Sequence, residues 1–241
     1  MTLPALVIGK QKRPVRMVLY GIEGIGKSTF ASLAPNPVFI ATEDGTSQLD
    51  IARFPLAADW PMMLSNISAL LKEAHDFKTL VLDSLDWAER LCIDYICQQK
   101  KINSIIDLPY GNGYMEVLKQ FERLLKGLDG LYKKDMHIIL IAHAQIKTFN
   151  NPEYENYDRY QLKLYEKISA LIKQWCDCLL FANYETFVTP AGEGFNKRHI
   201  AQSYGRRVLY TEHRAAFDAK NRYQLPAIMD LDAKKFFHAC F

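Results

Sequence analysis

Short apolar runs alternate along the chain with stretches whose apolar residues recur at helical spacing. That order predicts a mostly parallel sheet with helices over both faces. The first run, VRMVLY at 15–20, ends at Gly21 and predicts a strand. A helix from about Lys27 to Leu33 follows, stopped by Pro35-Asn36-Pro37 ahead of a second strand, VFIAT at 38–42, with Glu43 and Asp44 just past its end. Met63, Leu64, Ile67, Leu70 and Leu71 share one face of a helix from about Trp60 to His75, which leads into a strand TLVLD at 79–83 tipped by Asp83. The stretch SLDWAERLCIDYICQQ predicts the next helix, in whose first turn Asp86 falls. Residues 100–114 carry two glycines and a proline and read as an exposed loop before the helix EVLKQFERLLKGLDGLY. HIILIAHAQ at 137–145 is apolar enough for a strand buried on both faces. A polar, aromatic, turn-rich loop of about fifteen residues within 147–163 follows, longer than a compact domain keeps without a use. A helix LKLYEKISALIKQWC and a strand DCLLFANYE come next, and ETFVTP, RRVLYTEHR and RYQLPAIM predict further antiparallel strands in the C-terminal third. With no internal repeat or linker, one domain over 1–241 is expected, residues 1–14 being an N-terminal extension.

Composition narrows this little. The net charge of +3 is too small to announce a nucleic-acid binder, so any such surface must come from local clusters. No apolar stretch reaches the length of a membrane span and the N-terminus lacks a signal-peptide pattern, so a cytoplasmic protein with no membrane partner is expected. The five cysteines, Cys92, Cys97, Cys176, Cys178 and Cys240, lie in apolar surroundings without paired zinc-ligand spacing and read as buried free thiols.

The strongest chemical signal is GIEGIGKS at 21–28, a complete match to G-x-x-x-x-G-K-[ST] placed between a strand and a helix. Gly21, Gly24 and Gly26 permit backbone angles that let the amides of Ile22, Glu23 and Ile25 through Thr29 turn inward around a phosphate. Lys27 supplies charge to the outer phosphates and Ser28 a hydroxyl for Mg²⁺, at the positive end of the following helix. The expected ligands are thus ATP and Mg²⁺. A second carboxylate must help hold the metal from the tip of an apolar strand neighbouring the loop's own, and Asp83 at the end of TLVLD meets that need, a role compatible with capping the next helix. For the attacking water the candidates are Glu43 and, less well placed, Asp44. His143 and Gln145 end the fourth strand, either to hydrogen-bond a γ-phosphate or to serve as satisfied core polar groups.

This order of strand tips, followed by Asn151-Pro152-Glu153, resembles the RecA-like P-loop NTPase core. The match is most similar to phage-encoded RecA-like ATPases of the Sak type, through His143, Phe149-Asn150-Asn151-Pro152, Tyr157-Asp158-Arg159-Tyr160 and the segments WCDCLLFANYE, GRRVLYTE and FDAKNRYQLP. The resemblance implies an α/β fold with a mostly parallel central sheet and an ATPase linked to single-strand annealing and recombination. It also implies a head-to-tail homo-oligomer in which basic residues of a neighbour complete the site. Lys220 and Arg222 in AKNRY are similar to that trans-acting element, with Arg206 and Arg207 as competing candidates. Because only about fourteen residues precede the first strand, the assembly mode is not carried over, and ring, filament and dimer stay open.

The resemblance further implies that residues 100–114 and 147–163 face single-stranded DNA. There Lys100, Lys101, Lys147 and Arg159 could meet phosphates while Phe149, Tyr157 and Tyr160 stack on bases, with Tyr110, Tyr154 and Lys163 nearby. Glu153, Glu155 and Asp158 weaken that field. A single-strand-binding or annealing protein is a further expected partner. Two other readings keep the same loop: a nucleotide or small-molecule kinase, and a nucleotide-gated loader or adaptor for a replication protein.

Overall fold

The computed structural model describes residues 6, 8–153, 155–191 and 198–240, so Tyr154 lies outside the described residues. Its strands are β1 (Arg16–Gly21), β2 (Pro37–Ala41), β3 (Ala52–Arg53), β4 (Thr79–Asp83), β5 (His137–Phe149), β6 (Tyr157–Leu162), β7 (Cys178–Ala191), β8 (Arg198–Tyr210), β9 (Lys220–Asn221) and β10 (Ile228–Asp230). The helices are α1 (Lys27–Ser32), α2 (Trp60–Lys72), α3 (Leu85–Lys100), α4 (Asn112–Lys133), α5 (Glu166–Trp175) and α6 (Ala233–Cys240). The sheet runs β10-β8-β7-β1-β5-β4-β2-β3, with β6 paired to β5 and β9 to β7. Strands β7 through β3 of that order pair in parallel, while β8, β10, β6 and β9 are antiparallel additions. This is the mostly parallel, helix-flanked sheet with antiparallel C-terminal strands that the apolar pattern predicts.

Alternation sorts the strand residues between two cores. Val18 and Tyr20 of β1, with Ile138, Leu140 and Ala142 of β5, join one core, while Met17, Leu19, Ile139 and Ile141 join the other. On the first face lie α2, α3, α4 and α5. In α4 the buried residues Val117, Phe121, Leu124, Leu125, Leu128 and Leu131 form a single stripe, and Phe121 tilts against Trp60 of α2 at a ring separation of 5.3 Å. Helix α2 starts where Asp59 accepts a 2.7 Å bond from the Met62 amide. The second face is covered by α1 and α6, joined through Phe30 and Phe236. Each fully buried large apolar side chain contributes about 1.5–3 kcal/mol.

Four features depart from the sequence expectation. The strand carrying Asp83 does not adjoin β1, because β5 is inserted between β1 and β4. The 147–163 loop is mostly a hairpin: β5 runs on to Phe149 and pairs back with β6, leaving 150–156 as the connection. Polar residues at the hairpin's positions hide its period of two among turn-forming neighbours. The 100–114 loop is shortened by two 3₁₀ turns, Ile105–Asp107 and Pro109–Gly111, and by an α4 that begins at Asn112. Finally, the chain closes with α6 rather than further strand.

Candidate functional site

Strand β1 ends at Gly21, where a Cβ would strike the carbonyl oxygen of Ala182 on β7, so only glycine allows the two strands to pass. Beyond it Gly24 (φ 71°) and Gly26 (φ 105°) take left-handed angles, and α1 starts at Lys27. The turn is thus shaped as an anion-binding nest at a helix start. Lys27 is buried, and its Nζ donates to the carbonyls of Gly21 at 3.1 Å and Ile22 at 2.8 Å, across the mouth of the turn. Burial pushes its pKa down, opposed by the nearby Asp83 carboxylate.

Although β5 separates their strands, Ser28 and Asp83 meet. Ser28 Oγ donates to Asp83 Oδ2 at 2.5 Å. Asp83 is 3% exposed and burial raises its pKa, against the pull of the Ser28 hydroxyl. The tips of β2 and β4 are laced together here: the Thr42 amide donates to the Asp83 carbonyl, and Thr42 Oγ1 donates to the Ser84 carbonyl and accepts from its amide. The backbone that fixes Asp83 also holds Glu43, which follows Thr42 and whose charge acts on Lys27, Asp83 and His143 alike. Asp44 is exposed and contributes to none of these.

His143 stands beside Gly21 in the β1–β5 register. Its Nδ1 lies 3.0 Å from Asp86 Oδ2, and its amide donates to Asp86 Oδ1 at 3.1 Å. The hydrogen bond to Asp86 raises the pKa of His143. Asp86 is 5% exposed; burial pushes its carboxyl up, but the bonds from His143 outweigh this and leave it below the usual range. The sequence reading placed Asp86 merely in a helical first turn, since its partner lies 57 residues away.

The donor set fits Mg²⁺ with a triphosphate: a nest of amides, an ammonium, and a hydroxyl already touching a buried carboxylate. Lys27, Ser28, Asp83, Glu43 and His143 lie near one another at this end of the sheet. Gln145 does not; with β5 continuing past it, its Nε2 donates to the Leu162 carbonyl at 2.9 Å and braces the hairpin. Lys220 and Arg222 sit at the opposite end of the sheet, where β9 pairs with the start of β7. Lys220 Nζ donates to the carbonyls of Lys173, Gln174 and Cys176, neutralising the C-terminal end of α5, and Arg222 pairs with Asp177 at 3.0 Å. Within one chain, therefore, neither reaches the phosphate loop, and the Arg222 side chain is 55% exposed. Arg207, by contrast, reaches the loop in cis, its Nη1 lying 3.4 Å from the Ile25 carbonyl.

Among the expected DNA contacts, Lys100, Lys101 and Lys147 are exposed. Arg159 is not: it is 6% exposed, bonded to Asp218 at 2.6 Å, and lies over the Phe149 ring, which also packs on Tyr157. Tyr160 packs on Phe181 at 5.0 Å. Burial thus removes Arg159 from any phosphate surface. All five cysteines are free, and Cys92, Cys176 and Cys178 are buried. No helix among the described residues is long and apolar enough to cross a membrane.

The profile of the AAA domain family matches residues 13–223. The SPbeta prophage-derived uncharacterized protein YorG of Bacillus subtilis (strain 168) is 22% identical over 143 residues, 57% of this chain and 43% of that protein. The chain therefore spans less than half the length of that relative. Among solved structures, the flagellar accessory protein FlaH from Methanocaldococcus jannaschii aligns over 90% of this chain and 89% of that one, at 13% identity and a TM-score of 0.38.

Proposed function

Because this chain belongs to the AAA domain family, we propose that it is a RecA-like ATPase of the Sak type, which hydrolyses ATP with Mg²⁺ and works as an oligomer on single-stranded DNA. Its task is to assist phage-type homologous recombination or strand annealing in the cytoplasm. The observation that carries the ATPase reading is the 2.5 Å contact of Ser28 Oγ with Asp83 Oδ2, beside a buried lysine in a glycine-bent turn. Ser28 and Asp83 would hold a Mg²⁺ ion, which would supply charge neutralisation on the outer phosphates. Lys27 leaves the Gly21 and Ile22 carbonyls for the phosphates, and burial ensures that little water competes for its charge. Glu43 orients the water that attacks the γ-phosphorus and takes up its proton. His143, its ring fixed by Asp86, offers Nε2 to the γ-phosphate oxygens and reports their departure along β5 to the β5–β6 hairpin.

Hydrolysis measured with and without single-stranded DNA, alongside the mass of the assembled complex, tests this. The reading expects phosphate release to water, stimulation by single strands, and an oligomer favoured by ATP. Transfer of phosphate to an acceptor would instead make the chain a kinase. Stimulation only by a protein partner would make it a loader. The kinase alternative finds no support at Arg206, which a lid would need free but which Glu185 and Asp230 hold.

A further inference from the structure

The phosphate loop is braced from outside by an arginine of an antiparallel strand. Arg207 of β8 stands opposite Tyr184 of β7, the strand that borders β1. Two features deliver it to the loop. The β7–β8 register jumps from Tyr184/Arg207 to Thr186/Ser203, so that Tyr204, Gly205 and Arg206 face Glu185 alone, with Gly205 at φ 77°. A bulge of this kind bends its strand and re-aims the side chains beside it. The two arginines separate there: Arg206 is held by Glu185 at 3.0 Å and Asp230 at 2.8 Å, whereas Arg207 forms no ion pair among the described residues and lies against the loop. The second feature is Gly26: its left-handed φ of 105° calls for glycine, and the side chain it lacks leaves room for Arg207 Nη1, which lies 2.9 Å from where a Cβ would be.

The acceptor is the Ile25 carbonyl, and the same planar unit carries the Gly26 N–H, pointing the opposite way. A cation donating to that oxygen fixes the plane and strengthens its dipole, which makes the amide on the far side a better and better-aimed donor. We propose that Arg207 is a positioning residue of the nucleotide site, acting in cis through the Ile25–Gly26 peptide to set the affinity of the loop for the nucleotide's phosphates. The proposal rests on the ATP-binding reading above and gives Arg207 a role in cis, distinct from the trans-acting one that the resemblance implies for Lys220 and Arg222.

The test uses the full chain with Mg²⁺, a fluorescent ATP analogue for binding, and steady-state hydrolysis. Arg207→Ala should weaken binding about threefold and raise KM by a similar factor, as loss of a long hydrogen bond from an exposed guanidinium implies. Its kcat should stay within about twofold, since uniform binding rather than transition-state contact is lost. Arg207→Lys should recover most of the affinity, and Lys235→Ala, which removes a cation near the same sheet edge without touching the loop, should change nothing. Unchanged affinity in Arg207→Ala, or a loss confined to kcat, overturns the proposal. So does an Arg207→Lys protein that folds yet binds no better than Arg207→Ala; this also decides the matter should the alanine variant fail to fold. If wild type binds the analogue no better than Lys27→Ala, the ATP reading itself fails and Arg207 falls with it. Tight wild-type binding with an indifferent Arg207 rejects the arginine alone.

Discussion

The site's chemistry depends on single side chains held by buried partners. Replacing Lys27 with Ala should reduce ATP binding by at least about tenfold, because its charge sits where burial limits screening; a fluorescent analogue titration reads this, and normal affinity would remove the loop from the mechanism. The Asp86 and His143 pair makes a signed pH prediction. Asp86 raises the His143 pKa above its ordinary 6.5, so the pair's contribution to stability is complete below that value and disappears as pH climbs through the raised one. At the acid end it is lost as pH falls through the lowered Asp86 pKa. In Asp86→Asn the His143 resonance, followed by NMR, should titrate lower, toward 6.5, and the fall in stability above that pH should vanish. A histidine that titrates as before would separate the two residues. At this scale the sequence was informative wherever a motif carries its own spacing: Lys27, Ser28 and the strand-tip Asp83. It was silent on Asp86 of α3, whose chemistry is set by His143 on β5.

Among elements, the β5–β6 hairpin changes the picture most. Arg159 was expected at a surface, but Asp218 receives it together with Lys173, and the Tyr20 hydroxyl donates to the Asp218 carbonyl. The hairpin is thereby riveted to the main sheet. Arg159→Ala should lower stability by about 3 kcal/mol, from the lost packing of a long side chain that is 6% exposed together with the lost hydrogen bond to a carboxylate that keeps Lys173. The thermal midpoint should fall by roughly 6–12 °C, and a shift under about 2 °C would show the pair to be dispensable. The hairpin is not legible in the sequence because β6 mixes polar with aromatic residues, and one of the two residues it buries is an arginine whose partner lies 59 positions away. Helix α6 is hidden for a similar reason: eight residues do not announce a helix until Phe236 and Phe237 find the second core. The long apolar runs β1, β4 and β5 were legible because burial on both faces leaves few alternatives.

For the whole molecule, the parallel sheet and its helix layers followed from the alternating pattern, whereas strand order did not, since adjacency is settled by contacts that no local window contains. If single strands engage the Lys100, Lys101 and Lys147 surface, neutralising Lys147 should reduce the salt slope of binding by about one ion while leaving ATP affinity intact; an unchanged slope moves the nucleic-acid surface elsewhere. The insertion of β5 between β1 and β4 has its own consequence for a ribosome making this protein. By the time Lys133 is added, Lys27, Ser28, Glu43 and Asp83 have been synthesised, but the strand that sits between β1 and β4 and carries His143 has not. A released fragment ending there should bind no ATP, and a nascent chain should gain that ability only after the polypeptide through Phe149 has cleared the exit tunnel.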